Sequence, residues 1–196
     1  MRLNDNHHYI LSYYRTSEIS GALFFGRLAK IIPAGPIQVD MTKHFADEAA
    51  HAYYWTEAIQ RLGREPLKLR DSYQDQYNEA IGIPTNIMEV LAITQVFERR
   101  VINAYARHER MPNLDPLVKE TIQKIMDDEK WHIEWIKNAL KSLESELKDR
   151  SAEIEAMRES KRIFSDRGNG DWKKAFEGDI YDAKMLGLAT GKGWNT

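Results

Sequence analysis

The sequence predicts an all-α protein: four long helices in two antiparallel hairpins, joined by a long crossover and followed by a C-terminal helical or extended segment. Three observations predict it. Apolar residues recur every three or four positions through four long stretches, the period of helices buried on one face. Proline and glycine stand where each stretch stops or starts. The connections are also unequal. The first and second stretches are joined by a few residues, as are the third and fourth, whereas Gly63 to Ile83, about twenty residues, separates the second from the third.

The first helix is predicted from about Tyr9 to Ile32, on the stripe Leu11, Tyr14, Glu18, Ala22, Phe25 and Leu28, with Pro33-Ala34-Gly35-Pro36 as its stop. The second runs from about Ile37 to Leu62 on Met41, Phe45, Glu48, Ala52, Trp55 and Ile59, with His51 alongside, and Gly63 ends it. The third starts near Pro84, carries Leu91, Thr94, Glu98, Ile102 and Tyr105, and reaches about Met111 before Pro112. The fourth starts at Asp115-Pro116, an N-cap followed by a first-turn proline, and continues past Leu147 on Ile122, Ile125, Glu129, His132, Ile136 and Leu140. Each would be roughly 36 to 50 Å long at 1.5 Å per residue, long for a globular helix and normal for a four-helix bundle. The long connection has room for a short helix around Ser72 to Ala80. Residues 1–150 are read as the bundle domain and 151–196 as an appendage packing on it, with a short fifth helix over Asp171 to Leu188.

Composition narrows the chemistry. The chain has 196 residues and no cysteine, so thiolate zinc sites, cysteine-ligated iron–sulfur clusters and cysteine nucleophiles are excluded. Any metal must sit on carboxylate oxygen and imidazole nitrogen. A formal net charge of -2 offers no electrostatic case for nucleic acid as a partner. Mean hydropathy is -0.59 and no apolar run is long enough to span a bilayer. MRLNDNHHYI lacks the apolar stretch of a signal peptide, so the expected location is cytoplasmic.

An internal repeat carries the functional reading. Asp47-Glu48-Ala49-Ala50-His51 lies on the second helix and Asp128-Glu129-Lys130-Trp131-His132 on the fourth. Positions i and i+3 share a helix face, so each Glu–His pair can grip one ion. Glu18 and Glu98 sit within the apolar stripes of the other two helices, where an unpartnered charge would be costly. Glu18 precedes Glu48 by 30 residues and Glu98 precedes Glu129 by 31, so each hairpin offers a Glu and then a Glu-x-x-His. The candidate metal ligands are therefore Glu18, Glu48, His51, Glu98, Glu129 and His132. Four carboxylates can offset and bridge two ions, with one imidazole for each. Asp47 and Asp128 are placed to take the outer N–H of a ligand histidine on the neighbouring helix. Tyr14, one turn before Glu18, and Tyr105, two turns after Glu98, are candidates for bonding a ligand carboxylate or for redox work. Glu89 is a weaker rival to Glu98. His7, His8, His44 and His108 lack a matching Glu and are not read as ligands, although His44 could line the cavity. Trp55 and Trp131 are read as packing residues.

On these residues the sequence resembles the ferritin-like di-iron carboxylate superfamily, which includes bacterioferritins, rubrerythrins and aldehyde-deformylating oxygenases. The resemblance covers about residues 9 to 147. It implies two iron ions, with manganese as an alternative in one position, and reaction of reduced iron with dioxygen or peroxide. Glu18, Glu98 and Tyr14 would take part in that chemistry, with Gln95 and Tyr105 beside the ligands. Ala49 replaces the haem-binding Met of bacterioferritins, and Gln95 replaces the additional Glu of rubrerythrins. The expected function is an oxygenase or oxidase acting on a small apolar organic substrate, with electrons from an external donor. The alternative is ferroxidase, peroxidase or rubrerythrin-like iron and oxidant handling. A non-enzymatic interaction bundle is a third reading. A homodimer is one candidate assembly.

Overall fold

The computed structural model describes residues 3–70, 72, 84 and 86–146, and these contain four α-helices and no strand. We number them α1 (Asp5–Ile31), α2 (Pro36–Arg61), α3 (Ile87–Glu109) and α4 (Pro116–Glu146). The expected helix near Ser72 to Ala80, the appendage 151–196 and its short helix fall outside the described residues, apart from Ser72 itself.

The helix ends follow local chemistry. Asn4 caps α1 by accepting a hydrogen bond from the His7 amide at 2.9 Å, so α1 starts about a turn earlier than its apolar stripe. Pro36 opens α2. At its far end the Gly63 amide bonds to Gln60 O and the Arg64 amide to Ile59 O, a closure that needs the left-handed backbone of Gly63, φ 79°. α3 starts after Asn86, not at Pro84, because the Asn86 side chain accepts from the Glu89 amide at 3.0 Å. Asp115 accepts from the Leu117 amide at 2.9 Å and begins α4.

Each helix runs antiparallel to both of its neighbours. Arg15 bonds Thr56, whereas Gln38 bonds the Ala29 carbonyl, so residue numbers rise along α1 as they fall along α2. Tyr14 meets His108 and Phe24 meets Phe97 across α1 and α3. Gln123 reaches Glu109, and His132 faces Glu98, across α3 and α4. Trp135 bonds His44, and His51 lies beside Asp128, across α2 and α4. With α1 antiparallel to both α2 and α3, the end of α2 and the start of α3 lie at opposite ends of the stack. The connection between them must therefore cross its length.

Two apolar layers fill the interior. One contains Leu11, Trp55, Ile59, Phe97, Tyr105, Ile122 and Ile125, and the other Phe25, Met41, Met88, Leu91, Trp135, Ile136 and Leu140. Burying each large side chain contributes about 1.5–3 kcal/mol. Between the layers every helix places polar residues inward: Glu18, then His44, Glu48 and His51, then Glu98, and last Glu129 and His132. Phe45 departs from expectation. It is 39% exposed and packs over Gly26, and His44 takes the inward position instead. Ile102 is only half-buried, so these two do not wall the interior as expected.

Candidate metal centre

All six predicted ligands are buried, none more than 4% exposed. They converge in two groups, Glu18, Glu48, His51 and Glu129, and His44, Glu48, Glu98 and His132, with one donor atom from each member within 4.8 Å of the rest. Glu48 belongs to both. Glu129 also faces both sides, with Oε1 3.4 Å from His51 Nδ1 and Oε2 3.3 Å from His132 Nδ1. Glu48 and Glu129 thus face both histidine sides, with Glu18 in one group and Glu98 in the other.

Each ligand histidine is oriented by an aspartate from the opposite helix. His51 Nε2 lies 3.2 Å from Asp128 Oδ2, and His132 Nε2 lies 3.3 Å from Asp47 Oδ2. A carboxylate acceptor puts the proton on Nε2 and leaves Nδ1 pointing at the glutamates. The two carboxylates differ in surroundings. The Asp128 side chain is 41% exposed, and the Asp47 side chain is 18% exposed and also bonds Lys43. Tyr105 donates its hydroxyl hydrogen to Glu18 and accepts from Trp55 Nε1 at 2.9 Å, which fixes the Glu18 carboxylate. Tyr14 packs edge-on against Tyr105, with ring centroids 4.8 Å apart. Gln95 is half-buried and makes no hydrogen bond to a ligand among the described residues, and Glu89 lies outside both groups.

His44 is the site residue that the sequence reading passed over. It is fully buried, stacked between Phe25 and His132, with ring centroids 3.8 and 3.6 Å away. Its signal was His44-x-x-x-Glu48, one helical turn, a pattern too common to stand out. Trp135 Nε1 lies 3.2 Å from His44 Nδ1, and an indole nitrogen can only donate. Nδ1 therefore accepts, and the hydrogen of a neutral His44 sits on Nε2, 3.3 Å from Glu48 Oε1 and 3.2 Å from Glu98 Oε1. His44 thus turns Nε2 toward both carboxylates without closing a hydrogen bond to either. Using Nε2 as an ion-binding nitrogen would set two N–H groups against each other at Trp135.

The electrostatics favour positive charge on the two predicted ligand histidines. Burial opposes charging His132, but Glu129, Asp47 and Glu98 outweigh it and push the pKa up to about 12. Burial likewise opposes charging His51, and Asp128, Glu129 and Glu18 hold its pKa well above the ordinary value. Burial and the Glu18, Glu98 and Glu129 carboxylates push Glu48 well above the usual carboxylate range. Burial and His132 keep His44 well below the ordinary histidine value. Positive charge is thus drawn to the side facing the glutamates. His51 Nδ1, Glu129 Oε1 and His44 Nε2 are buried without a hydrogen-bond partner. Such atoms are costly unless something binds them. The donor set of oxygen and imidazole nitrogen fits a pair of divalent ions.

Fold and site together define an all-α protein whose buried Glu/His groups could hold metal. No helix among the described residues is long and apolar enough to cross a membrane. Comparison with protein-family models, curated proteins and solved structures finds no match.

Proposed function

We propose that the chain is a ferritin-like, non-haem di-iron oxidoreductase that activates dioxygen or peroxide, working as an oxygenase or oxidase on an organic substrate. The observation that carries this reading is the pair of overlapping ligand groups sharing Glu48, with partnerless donor atoms aimed between them. The antiparallel neighbours and the length-crossing connection agree with the ferritin-like topology. Carboxylate and imidazole donors suit iron or manganese. The redox chemistry toward oxygen would be supplied by the bound ions.

The protein's own part is to hold and shield. His51 and His132 present Nδ1 inward because Asp128 and Asp47 hold their Nε2 protons. Tyr105 keeps Glu18 in one orientation while His44 faces Glu48 and Glu98. The two apolar layers exclude water from reactive species. With no cysteine in the chain, reducing equivalents must come from an external donor.

Anaerobic loading with Fe(II) should give about two ions per chain, followed by oxygen uptake on exposure to air. Loaded protein that consumes neither dioxygen nor peroxide would overturn the proposal. Release of the oxidised iron as a ferric mineral would instead move the reading to ferroxidase activity.

A further inference from the structure

The four helices do not meet solvent alike. α4 turns out Lys119, Gln123, Lys130, Glu134, Lys137 and Lys141, a polar or charged group at nearly every turn. α2 turns out Val39, Thr42, Ala46, Ala49 and Tyr53, spaced by three and four residues, all exposed and none charged. Val39 is 63% and Tyr53 61% exposed. The adjoining stripe of α1 adds half-buried Ile19 and Leu23, the latter 59% exposed. Gly26 meets Phe45, so in antiparallel helices Leu23 stands about level with Ala49. The two stripes therefore form one uncharged face over the α1–α2 groove. Every exposed large hydrophobic residue among those described belongs to this hairpin.

Charge returns at the two ends of the face, with opposite sign. Lys30 is exposed on α1, seven residues past Leu23, and Glu57 is exposed on α2, eight residues past Ala49. Neither makes an ion pair among the described residues. Because the helices run in opposite directions, these charges lie about 10 Å above and about 12 Å below the level of Leu23 and Ala49. A two-fold axis through Leu23 and Ala49 would lay α1 of one copy on α2 of another. It would set Lys30 over Glu57 twice, as an isologous contact requires. Between those charges the face is about 23 Å by 20 Å, so two copies would bury on the order of 1,000 Å², where specific interfaces begin.

We propose that this α1–α2 face pairs with the same face of a second copy of the chain in a two-fold dimer. The pairing is independent of the metal reading and requires no bound ion.

The test is sedimentation velocity of the full chain, joined to cross-linking of single-cysteine variants. The chain has no cysteine, so each variant carries one reactive thiol. Wild type should sediment at twice the chain mass of 22.8 kDa. Ala49→Cys should be joined rapidly across the axis by a short bismaleimide, and Lys137→Cys on α4 should not. Leu23→Arg should shift the protein to monomer with its helical circular dichroism unchanged. Lys30→Glu alone and Glu57→Lys alone should each weaken self-association severalfold. Mixing those two variants should restore it, because each contact then again pairs opposite charges. A monomer at every concentration would overturn the proposal. If the thiol of Ala49→Cys in that monomer also resists maleimide, the face is covered by the chain's own residues instead. A dimer that cross-links through Lys137→Cys, that survives Leu23→Arg, or that the mixed charge variants fail to restore would equally overturn it.

Discussion

Glu48 is the side chain on which the two ligand groups depend together. Its pKa is raised by burial and by three neighbouring glutamates. An acid whose folded pKa exceeds its unfolded value costs stability as pH rises through the folded pKa, so the metal-free protein is strained at neutral pH. Glu48→Gln should raise the metal-free Tm by about 2–4 °C for each kcal/mol of relieved repulsion, and cut ion content after loading to below about one per chain. Differential scanning calorimetry and metal analysis check the two halves. His108 makes a separate case. It is fully buried with no hydrogen-bond partner on either ring nitrogen among the described residues, and burial and His7 lower its pKa to about 4. The folded state therefore favours neutral His108. Its contribution is whole above the unfolded value of 6.5 and is lost as pH falls toward 4. About 2 kcal/mol should disappear between pH 7 and pH 5. Urea unfolding of His108→Gln should lack that part of the decline, and an identical pH slope in both proteins would refute the assignment.

The helices repay the same scrutiny. Asn86→Ala removes the cap of α3 and should cost about 1 kcal/mol in chemical denaturation. Gly26→Ala tests a tight contact, since a methyl there would lie 3.3 Å from the Phe45 ring. That ring is partly in solvent and can give way, so the gain in helix propensity should prevail, stabilising by about 0.5 kcal/mol. The same elements show what could be read in advance. The two Asp-Glu-x-x-His quintets marked their own ligands, and the i+3 spacing placed each pair on one face. Their cross-helix Asp–His contacts could be anticipated because neighbours at matched height must face each other. Phe45 and His44 could not be sorted, because both lie near the edge of the apolar stripe and hydropathy favours Phe. Stacking on Phe25 and the Trp135 bond decided for His44, and both are tertiary. The start of α3 was misplaced because Pro84 and Asn86 are both sound signals, and only the Asn side-chain bond separates them.

At the scale of the whole molecule, the centre joins what the chain separates. Each ligand group takes side chains from both hairpins, so ion binding should staple them together. Ions at about a hundred times their Kd would add about 2.7 kcal/mol to unfolding, visible as a rise in Tm with Zn(II) and its reversal by chelator. Loading should also acidify a weakly buffered solution, because ions displace the protons held by His51, His132 and Glu48, and affinity should fall as pH falls. A pH-indicator titration that shows no proton release would contradict this. The two Asp-Glu-x-x-His quintets nevertheless end in unlike places. The His132 side is walled by Phe25, His44 and Trp135, whereas the Glu18 side borders a cavity and its histidine leans on the more exposed aspartate. Symmetry in the text has become inequality in space: ions on motifs of one pattern would sit in unlike surroundings, one beside a small cavity and the more exposed aspartate, the other behind aromatic rings.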